Sequence, residues 1–486
     1  MSASEEGMNA AAPGMEPHPG SCPTTSEVIA RLTGAFPPGS GFPTEPRIVA
    51  ELRYLTRELV ECYRREGRLD ADPFADPANR KIHCYETEIR EIIHQRVVLV
   101  TGGAGCVGSG LMAKLRTFEP RKIVCVDTAD ADPPGIVYCR EDIRNWSALE
   151  QIFDAERPDI VFHLAAQRNP GLAERLVHET ITTNVYGTAN VIRACERAGV
   201  ERCVFSSTGK ASRYHTHEIY AASKKLAEWQ FATANRTGRT RYVAARFTHV
   251  LNNSLVREQL DSWIQAGRPV GVHAPGRLIV AQNVVEAAQL LLNALLYAER
   301  GRLGLVVVRN LGWPIETLEL ALYRIVQSGR DLPVYFIGLP RGYSEDFFRG
   351  QVDWRFQTDV HPLLNVLESA DRSNDPSGTM IYSKLEPFEE SVLRRHLERL
   401  RGTVEWEAMP ESEMRHALYQ ASDDLCTSVF EAAPPEELLN ILHWGMDTDT
   451  SASGELPAVV PFLTRALEHP KLGTVHSNST SETLVP

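Results

Sequence analysis

Tyr220 and Lys224, in Tyr220-Ala-Ala-Ser-Lys224, stand four residues apart and therefore share one face of a helix. A phenol is a poor base at its ordinary pKa near 10, but a neighbouring ammonium favours the phenolate. Tyr220 could then take a proton from a substrate hydroxyl. The run Arg202-Cys-Val-Phe-Ser-Ser207 reads as a strand, and Thr208 at its end is placed to hold the same hydroxyl, with Lys210 two residues further on. Tyr-x-x-x-Lys alone is common on surface helices. Its weight here comes from following a Ser-Ser-Thr strand end.

Removing that proton oxidises an alcohol only if something accepts the hydride. Val97 to Val100 is a continuous apolar run of the kind found in buried parallel strands, and Gly102, Gly105 and Gly108 follow it. Glycines at such a turn let backbone approach a pyrophosphate, whose charge is received by the helix N-terminus at Cys106 and Val107. The spacing is Gly-x-x-Gly-x-x-Gly, not the generic Gly-x-Gly-x-x-Gly. Lys122-Ile-Val-Cys-Val-Asp127 is a second strand ending in a carboxylate where a ribose 2′-hydroxyl acceptor belongs, and that charge favours NAD over NADP. Asp142 and Ile143 fall where an adenine contact is expected, with Asp142 as a helix N-cap the alternative. Leu164, Ala165 and Ala166 are small and apolar where a dinucleotide crosses the sheet, and Arg168 follows as a phosphate contact. Asn184 and Ser206 complete the cofactor set with Tyr220 and Lys224.

These residues need a scaffold. Strands near 96–101, 122–127, 135–139, 158–165, 201–207 and 241–247 alternate with helices, which predicts an α/β fold: a doubly wound parallel Rossmann sheet. We expect a mostly disordered arm over 1–43 with only a short helix at Ser26–Leu32, a helical N-terminal extension over 44–95, the NAD-binding domain over 96–250, and a smaller C-terminal substrate region over 251–350 that partly returns to the sheet. A helical extension over 351–470 and a disordered tail over 471–486 follow. In the N-terminal extension, Ile48, Leu52, Leu55, Leu59 and Tyr63 form the apolar face of a helix capped by Thr44 and stopped by Gly67. Its apolar face suits packing on the protein's own core.

With 51 basic and 63 acidic residues the net charge is −12, and no basic run suggests a nucleic-acid surface. The longest apolar window, near Val284 to Ala298, is too short and polar to span a bilayer, and the N-terminus has no secretory pattern. The nine cysteines lack Cys-x-x-Cys spacing and read as reduced packing residues, with no metal site expected. The expectation is a cytoplasmic homodimer or higher homo-oligomer with no membrane partner.

The motifs resemble the extended short-chain dehydrogenase/reductases, and within them the CapD-like polysaccharide-biosynthesis branch of nucleotide-sugar epimerases and 4,6-dehydratases. The matching pieces are Thr101-Gly-Gly-Ala-Gly-Cys-Val-Gly108, His163-Leu-Ala-Ala166, Thr183-Asn-Val-Tyr-Gly-Thr188, Ser207-Thr-Gly-Lys-Ala211, Tyr220-Ala-Ala-Ser-Lys-Lys-Leu-Ala-Glu228 and Arg246-Phe-Thr-His-Val-Leu251. Asn310-Leu-Gly-Trp-Pro-Ile315 and Gly338-Leu-Pro-Arg-Gly342 resemble its substrate-domain segments, so the likeness runs from about residue 90 to 350. The resemblance implies NAD, a nucleotide-sugar substrate, Thr208, Lys210, Tyr220 and Lys224 as catalytic residues, and Arg168, Thr208, His249, Asn253 and Arg277 around the substrate. The branch usually has Ser-Thr-Asp-Lys-Ala, where the Asp protonates the departing hydroxyl and the Lys helps to remove the C5 proton. Here that Asp is Gly209, the usual Asn at 249 is His, and a usual Lys-His-Val-Pro reads Arg168-Asn-Pro-Gly. Glycine donates no proton, so the expectation is epimerisation through a keto intermediate in preference to elimination. The alternatives are dehydration with an acid from His215, His217 or Glu218, net oxidation of the sugar, or a non-catalytic protein that binds NAD or a nucleotide sugar.

Overall fold

The computed structural model describes residues 22–131, 133–253, 255–343, 361–405, 409–446 and 455–468. All five residues of Val97–Thr101 (β1) are buried, as expected of a strand covered on both faces. Around it lie Lys122–Asp127 (β2), Val137–Arg140 (β3), Ile160–His163 (β4), Arg202–Thr208 (β5), Arg241–Phe247 (β6) and Gly304–Val308 (β7). They pair in parallel in the order β3-β2-β1-β4-β5-β6-β7. The order reverses between β1 and β4, which puts the ligand crevice of such a sheet outside their carboxyl ends. The doubly wound sheet is thus present, with every strand expected between 96 and 250.

The sheet continues beyond that range. Ser373–Asn374 (β8) and Met380–Lys384 (β9) add two antiparallel strands beside β7, completing nine among the described residues. The region expected to be a helical C-terminal extension therefore begins by finishing the sheet, and Glu390–Glu405 and Glu411–Ala432 supply the expected helices afterwards. No described helix is long and apolar enough to cross a membrane.

A buried ionic cluster fixes this extension to the sheet unit. Arg246, on β6, donates from Nε and Nη2 to both Glu228 oxygens at 2.8 and 2.7 Å. Its Nη1 and Nη2 donate to Glu368 at 2.6 Å each, and Nη1 also reaches Leu363 O at 2.9 Å. All three charged side chains are fully buried. Beside them Lys225 pairs with Glu386 at 3.4 Å. Lys225 and Glu228 lie on the helix Ile219–Thr237, which carries Tyr220 and Lys224.

A second compact unit comprises, among the described residues, 22–72, Leu260–Pro275 and Leu318–Gly338. Its makeup corrects two expectations. First, the short helix expected at Ser26–Leu32 is longer, running over Thr25–Ala35 with a capping box: Thr24 Oγ1 accepts from Glu27 N at 3.3 Å and Glu27 Oε2 accepts from Thr24 N at 2.8 Å. Val28 and Leu32 are buried there. Second, the smaller unit is not purely C-terminal. Helix Pro46–Arg65 buries Leu52, Leu55, Leu59 and Tyr63, and Thr56 Oγ1 accepts from Val334 N at 2.8 Å, on the strand Val334–Phe336. That strand pairs with Val270–Val272, and residues 276–317 stay with the large sheet. The helix starts at Pro46 with Glu45 as N-cap, so Thr44 is not its cap. Proline at the first helical position needs no N–H partner, which sets the boundary there. The tail 471–486 lies outside the described residues.

Arg246→Met leaves Glu228 and Glu368 buried without their cation and should cost about 3–5 kcal/mol, the scale for breaking a buried ion pair. Urea denaturation measures it. A loss under about 1 kcal/mol would mean the carboxylates are neutralised by other means.

Candidate active site

At the end of β1 the chain turns through Gly102, whose φ is +74°, and a Cβ there would stand 2.5 Å from Ala165 N. A side chain at 102 is thus barred both by conformation and by the turn after β4. A Cβ at Gly108 would overlap Gly102 O, so this glycine lets the helix Cys106–Leu115 approach the turn closely. Gly105 is different. It is exposed, a Cβ would touch only Gly102 O at 3.3 Å, and it is the N-cap of that helix. Its bare surface leaves the first-turn N–H groups open to an anion. Cys106 and Val107 are half-buried beside it.

Asp127 is bound to the same turn: Oδ2 accepts from Ala104 N at 2.9 Å and Oδ1 from Ala129 N at 3.0 Å. The carboxylate is thereby held beside the glycines. Leu164 N donates to Thr101 O at 3.0 Å and Ala165 N to Thr101 Oγ1 at 3.4 Å, which lays Leu164, Ala165 and Ala166 against the turn's far side. Asp142 is not an N-cap. That place belongs to Asn145, and Asp142 accepts instead from Arg144 N and Nε at 2.8 and 2.9 Å. Ile143 is buried, with its side chain against Gly187, so only its backbone is left to meet a ligand.

Lys224 Nζ donates to Ser206 O at 2.7 Å and lies 4.1 Å from the centre of the Phe205 ring. Burial lowers its pKa to about 7. Tyr220 shares a hydrogen bond with the Thr208 side chain; burial pushes the phenol up to about 12, while that bond and the charge of Arg168 pull it down. Arg168 is exposed and its charge is also felt at the Cys106 thiol, so its field spans the glycine turn and the phenol. Asn184 supports this arrangement from a π-helical segment, Thr182–Gly187. Its Oδ1 accepts from Gln167 N at 2.8 Å, and its Nδ2 donates to Gln167 O at 3.0 Å and Ser223 Oγ at 2.9 Å. One amide thus ties the segment bearing Arg168 to the helix bearing Tyr220.

Residues 341–343 close over the other side. Lys210 Nζ donates to Gly342 O at 2.8 Å and lies 5.8 Å from the Tyr343 ring centre. Arg277 Nη2 donates to Tyr343 O at 3.2 Å. A Cβ at Gly342 would come within 2.6 Å of Pro170 O, so the segment crosses Asn169–Gly171 at backbone contact. Arg277 and Lys210, far apart in sequence, are thereby joined to one short stretch. His249 is largely buried, and burial lowers its pKa to about 4. Asn253 lies in the 3-10 turn Leu251–Asn253, and its side chain is outside the described residues.

The position of the missing acid is filled. A Cβ on Gly209 would overlap Leu363 Cδ2, and Leu363 is fully buried. The three groups considered as replacement acids are all engaged: Glu218 is bonded to Lys210 and lies 3.3 Å from Arg213 Nη1, while His215 and His217 both face Asp423. Sequence reasoning missed Leu363, and also Glu174, which accepts from Ile219 N at 2.7 Å at the start of the Tyr220 helix and is paired with Arg415. No local pattern marks either residue, because the partners come from distant segments.

A family model described as "Polysaccharide biosynthesis protein" matches residues 98–345. The capsular polysaccharide biosynthesis protein CapD of Staphylococcus aureus is 27% identical over 308 residues, covering 56% of this chain and 51% of that protein. A Campylobacter jejuni protein named UDP-N-acetylglucosamine 4,6-dehydratase (inverting) is 29% identical over 176 residues, 33% of this chain and 51% of its own length. The chain thus spans about half the length of these curated relatives. Among solved structures, Pen from Bacillus thuringiensis aligns with a TM-score of 0.50 at 21% identity, over 60% of this chain and 87% of that one, a likeness of fold. The matched span holds the glycine turn, Thr208, Tyr220 and Lys224, and it makes the chain a member of the polysaccharide biosynthesis protein family, in its CapD-like branch.

Proposed function

We propose that the protein carries out NAD-dependent modification of a nucleotide-activated sugar through a transient keto intermediate, with epimerisation favoured over standard 4,6-elimination. The observation that carries this reading is the Thr208–Tyr220–Lys224 group retained beside a Gly209 whose side-chain space is filled by Leu363. The glycine cradle and Asp127 fit NAD, with Gly105 open to the pyrophosphate and the carboxylate suited to a ribose hydroxyl. NAD, when bound, supplies the acceptor for the hydride leaving the sugar carbon. Thr208 and Tyr220 hold the sugar hydroxyl, and Tyr220 Oη takes its proton while the Lys224 ammonium favours the phenolate. The ketone so formed acidifies the neighbouring C–H bond. Lys210 takes the proton of that bond and a proton is returned to the opposite face, while Arg168 and Arg277 hold the substrate through its phosphates.

A second reading, dehydration with a relocated acid, draws on Glu218 lying against Lys210. The name of the Campylobacter relative makes UDP-N-acetylglucosamine the first member of a UDP-, GDP- and dTDP-sugar panel to test. The panel is run in heavy water and followed by NMR. The expected product keeps its C6 oxygen and carries solvent deuterium where inversion occurs beside the ketone. A 4-keto-6-deoxy sugar overturns the preference for epimerisation. Gly209→Asp alone should destabilise the protein without producing dehydration, because the new side chain meets Leu363; Gly209→Asp with Leu363→Ala should yield some 4-keto-6-deoxy product. Equal product from the single variant would show that Leu363 gives way freely.

Tyr220→Phe should lower turnover at least about a hundredfold while NAD affinity changes little. Unchanged turnover removes Tyr220 from the chemistry. Lys224→Met should also lose turnover, yet gain stability at low pH. The unfolded chain keeps the Lys224 proton up to its ordinary pKa of 10.5, whereas the folded one releases it at about 7, so stability rises with pH in that window and the burial penalty is full below it. The variant should therefore melt higher than wild type at pH 6, with the gap closing toward pH 10. A pH-independent difference would contradict that assignment.

A further inference from the structure

His215 and His217 do not serve the sugar chemistry in this reading, and their environment points elsewhere. His215 Nε2 lies 2.8 Å and His217 Nε2 3.0 Å from the same oxygen, Asp423 Oδ1. The three ligand atoms all lie within 4.8 Å of one another. The rings are held in place by stacking: His217 on Tyr419, with centres 4.5 Å apart and planes 12° apart, and His215 beside Phe462 at 5.4 Å. The two imidazoles are themselves 4.4 Å apart. We propose that His215, His217 and Asp423 form a binding site for a divalent transition-metal ion, zinc being the best match, which pins the loop ahead of the Tyr220 helix to the helix Glu411–Ala432.

The donor chemistry supports this choice. Two imidazoles and one carboxylate suit zinc, whose Zn–N and Zn–O bonds near 2.0–2.2 Å place tetrahedral ligand atoms about 3.3 Å apart. The two imidazole–carboxylate separations, 2.8 and 3.0 Å, are slightly shorter than that edge, so the carboxylate need only withdraw a little to admit an ion. Neutral imidazoles can offer both Nε2 lone pairs with their protons on Nδ1. An oxygen-seeking ion such as magnesium or calcium would take fewer of these donors. Sequence spacing gave no hint, since His215-Thr-His217 lies 206 residues from Asp423 at its nearer end.

The consequence is positional. The loop carrying both histidines runs between Lys210 and Tyr220, and the same C-terminal helix already reaches the start of the Tyr220 helix through Arg415 and Glu174. A metal ion would add a second tie between that helix and the loop.

The test uses the tag-free, full-length chain, stripped with chelator and titrated with zinc chloride by calorimetry, with cobalt(II) as a spectroscopic probe. Wild type should take up roughly one equivalent, rise in melting temperature with zinc, and show the visible bands of tetrahedral cobalt. His217→Ala and Asp423→Asn should lose all three responses. Asparagine keeps an oxygen acceptor for the imidazole N–H groups, so a purely hydrogen-bonded role would leave Asp423→Asn folded and its metal response equal to wild type. His396→Ala is the control, because His396 pairs with Asp424 at 2.8 Å on the same helix but as a single imidazole. Absence of saturable zinc binding by wild type, or equal binding by Asp423→Asn, overturns the proposal.

Discussion

A guanidinium buried out of water must be matched by charge, and Arg246 meets that demand with two carboxylates from different parts of the chain. Glu228 comes from the Tyr220 helix and Glu368 from beyond residue 361. Counted with Lys225 and Glu386, the cluster holds two cations and three carboxylates. Burial, and a hydrogen bond to Glu386, push the Glu368 carboxyl up, while the cations and that same bond hold Glu386 down at about 2. The two carboxyls are thus driven in opposite directions, which lets the three acidic groups sit beside two cations out of water. Sheet, helix and C-terminal segment are thereby obliged to meet at one point.

The departure at residue 209 follows from this constraint. Arg246 Nη1 also donates to Leu363 O, and that bond fixes the backbone whose side chain fills the space over Gly209. Asn365 and Tyr214 strengthen the same placement, Asn365 Nδ2 donating to Ser212 O at 3.1 Å and Val366 N to Tyr214 Oη at 2.8 Å. A side chain at 209 would require the Leu363 Cδ2 methyl to move, so the glycine and the docking of the C-terminal segment are coupled through that contact.

Much of this was legible in the sequence where the deciding interactions are local. Lys122–Asp127 and Arg241–Phe247 are strands over the ranges read from their apolar runs, and Gly102 and Gly108 are required for the close approaches that glycine spacing implies. Tyr220 and Lys224 share a helix as their spacing demanded. Reading failed where the partner is remote. Asp142 and Asn145 both suit a cap, and only the backbone path selects Asn145. Leu363, Glu368 and Glu386 carry no motif, because their meaning lies in Gly209, Arg246 and Lys225.

The electrostatics of the loop between Lys210 and Tyr220 bear on what chemistry is left. A group that protonates a departing hydroxyl must have a proton to give and a path to the sugar. Glu218 Oε2 accepts from both Lys210 and Arg213, so that oxygen is already committed to two cations. His215 and His217 are turned toward Asp423, whose carboxyl they help to hold at about 2. With Gly209 bare and these three groups engaged elsewhere, the proposed reading places inversion beside the ketone ahead of the expulsion of water.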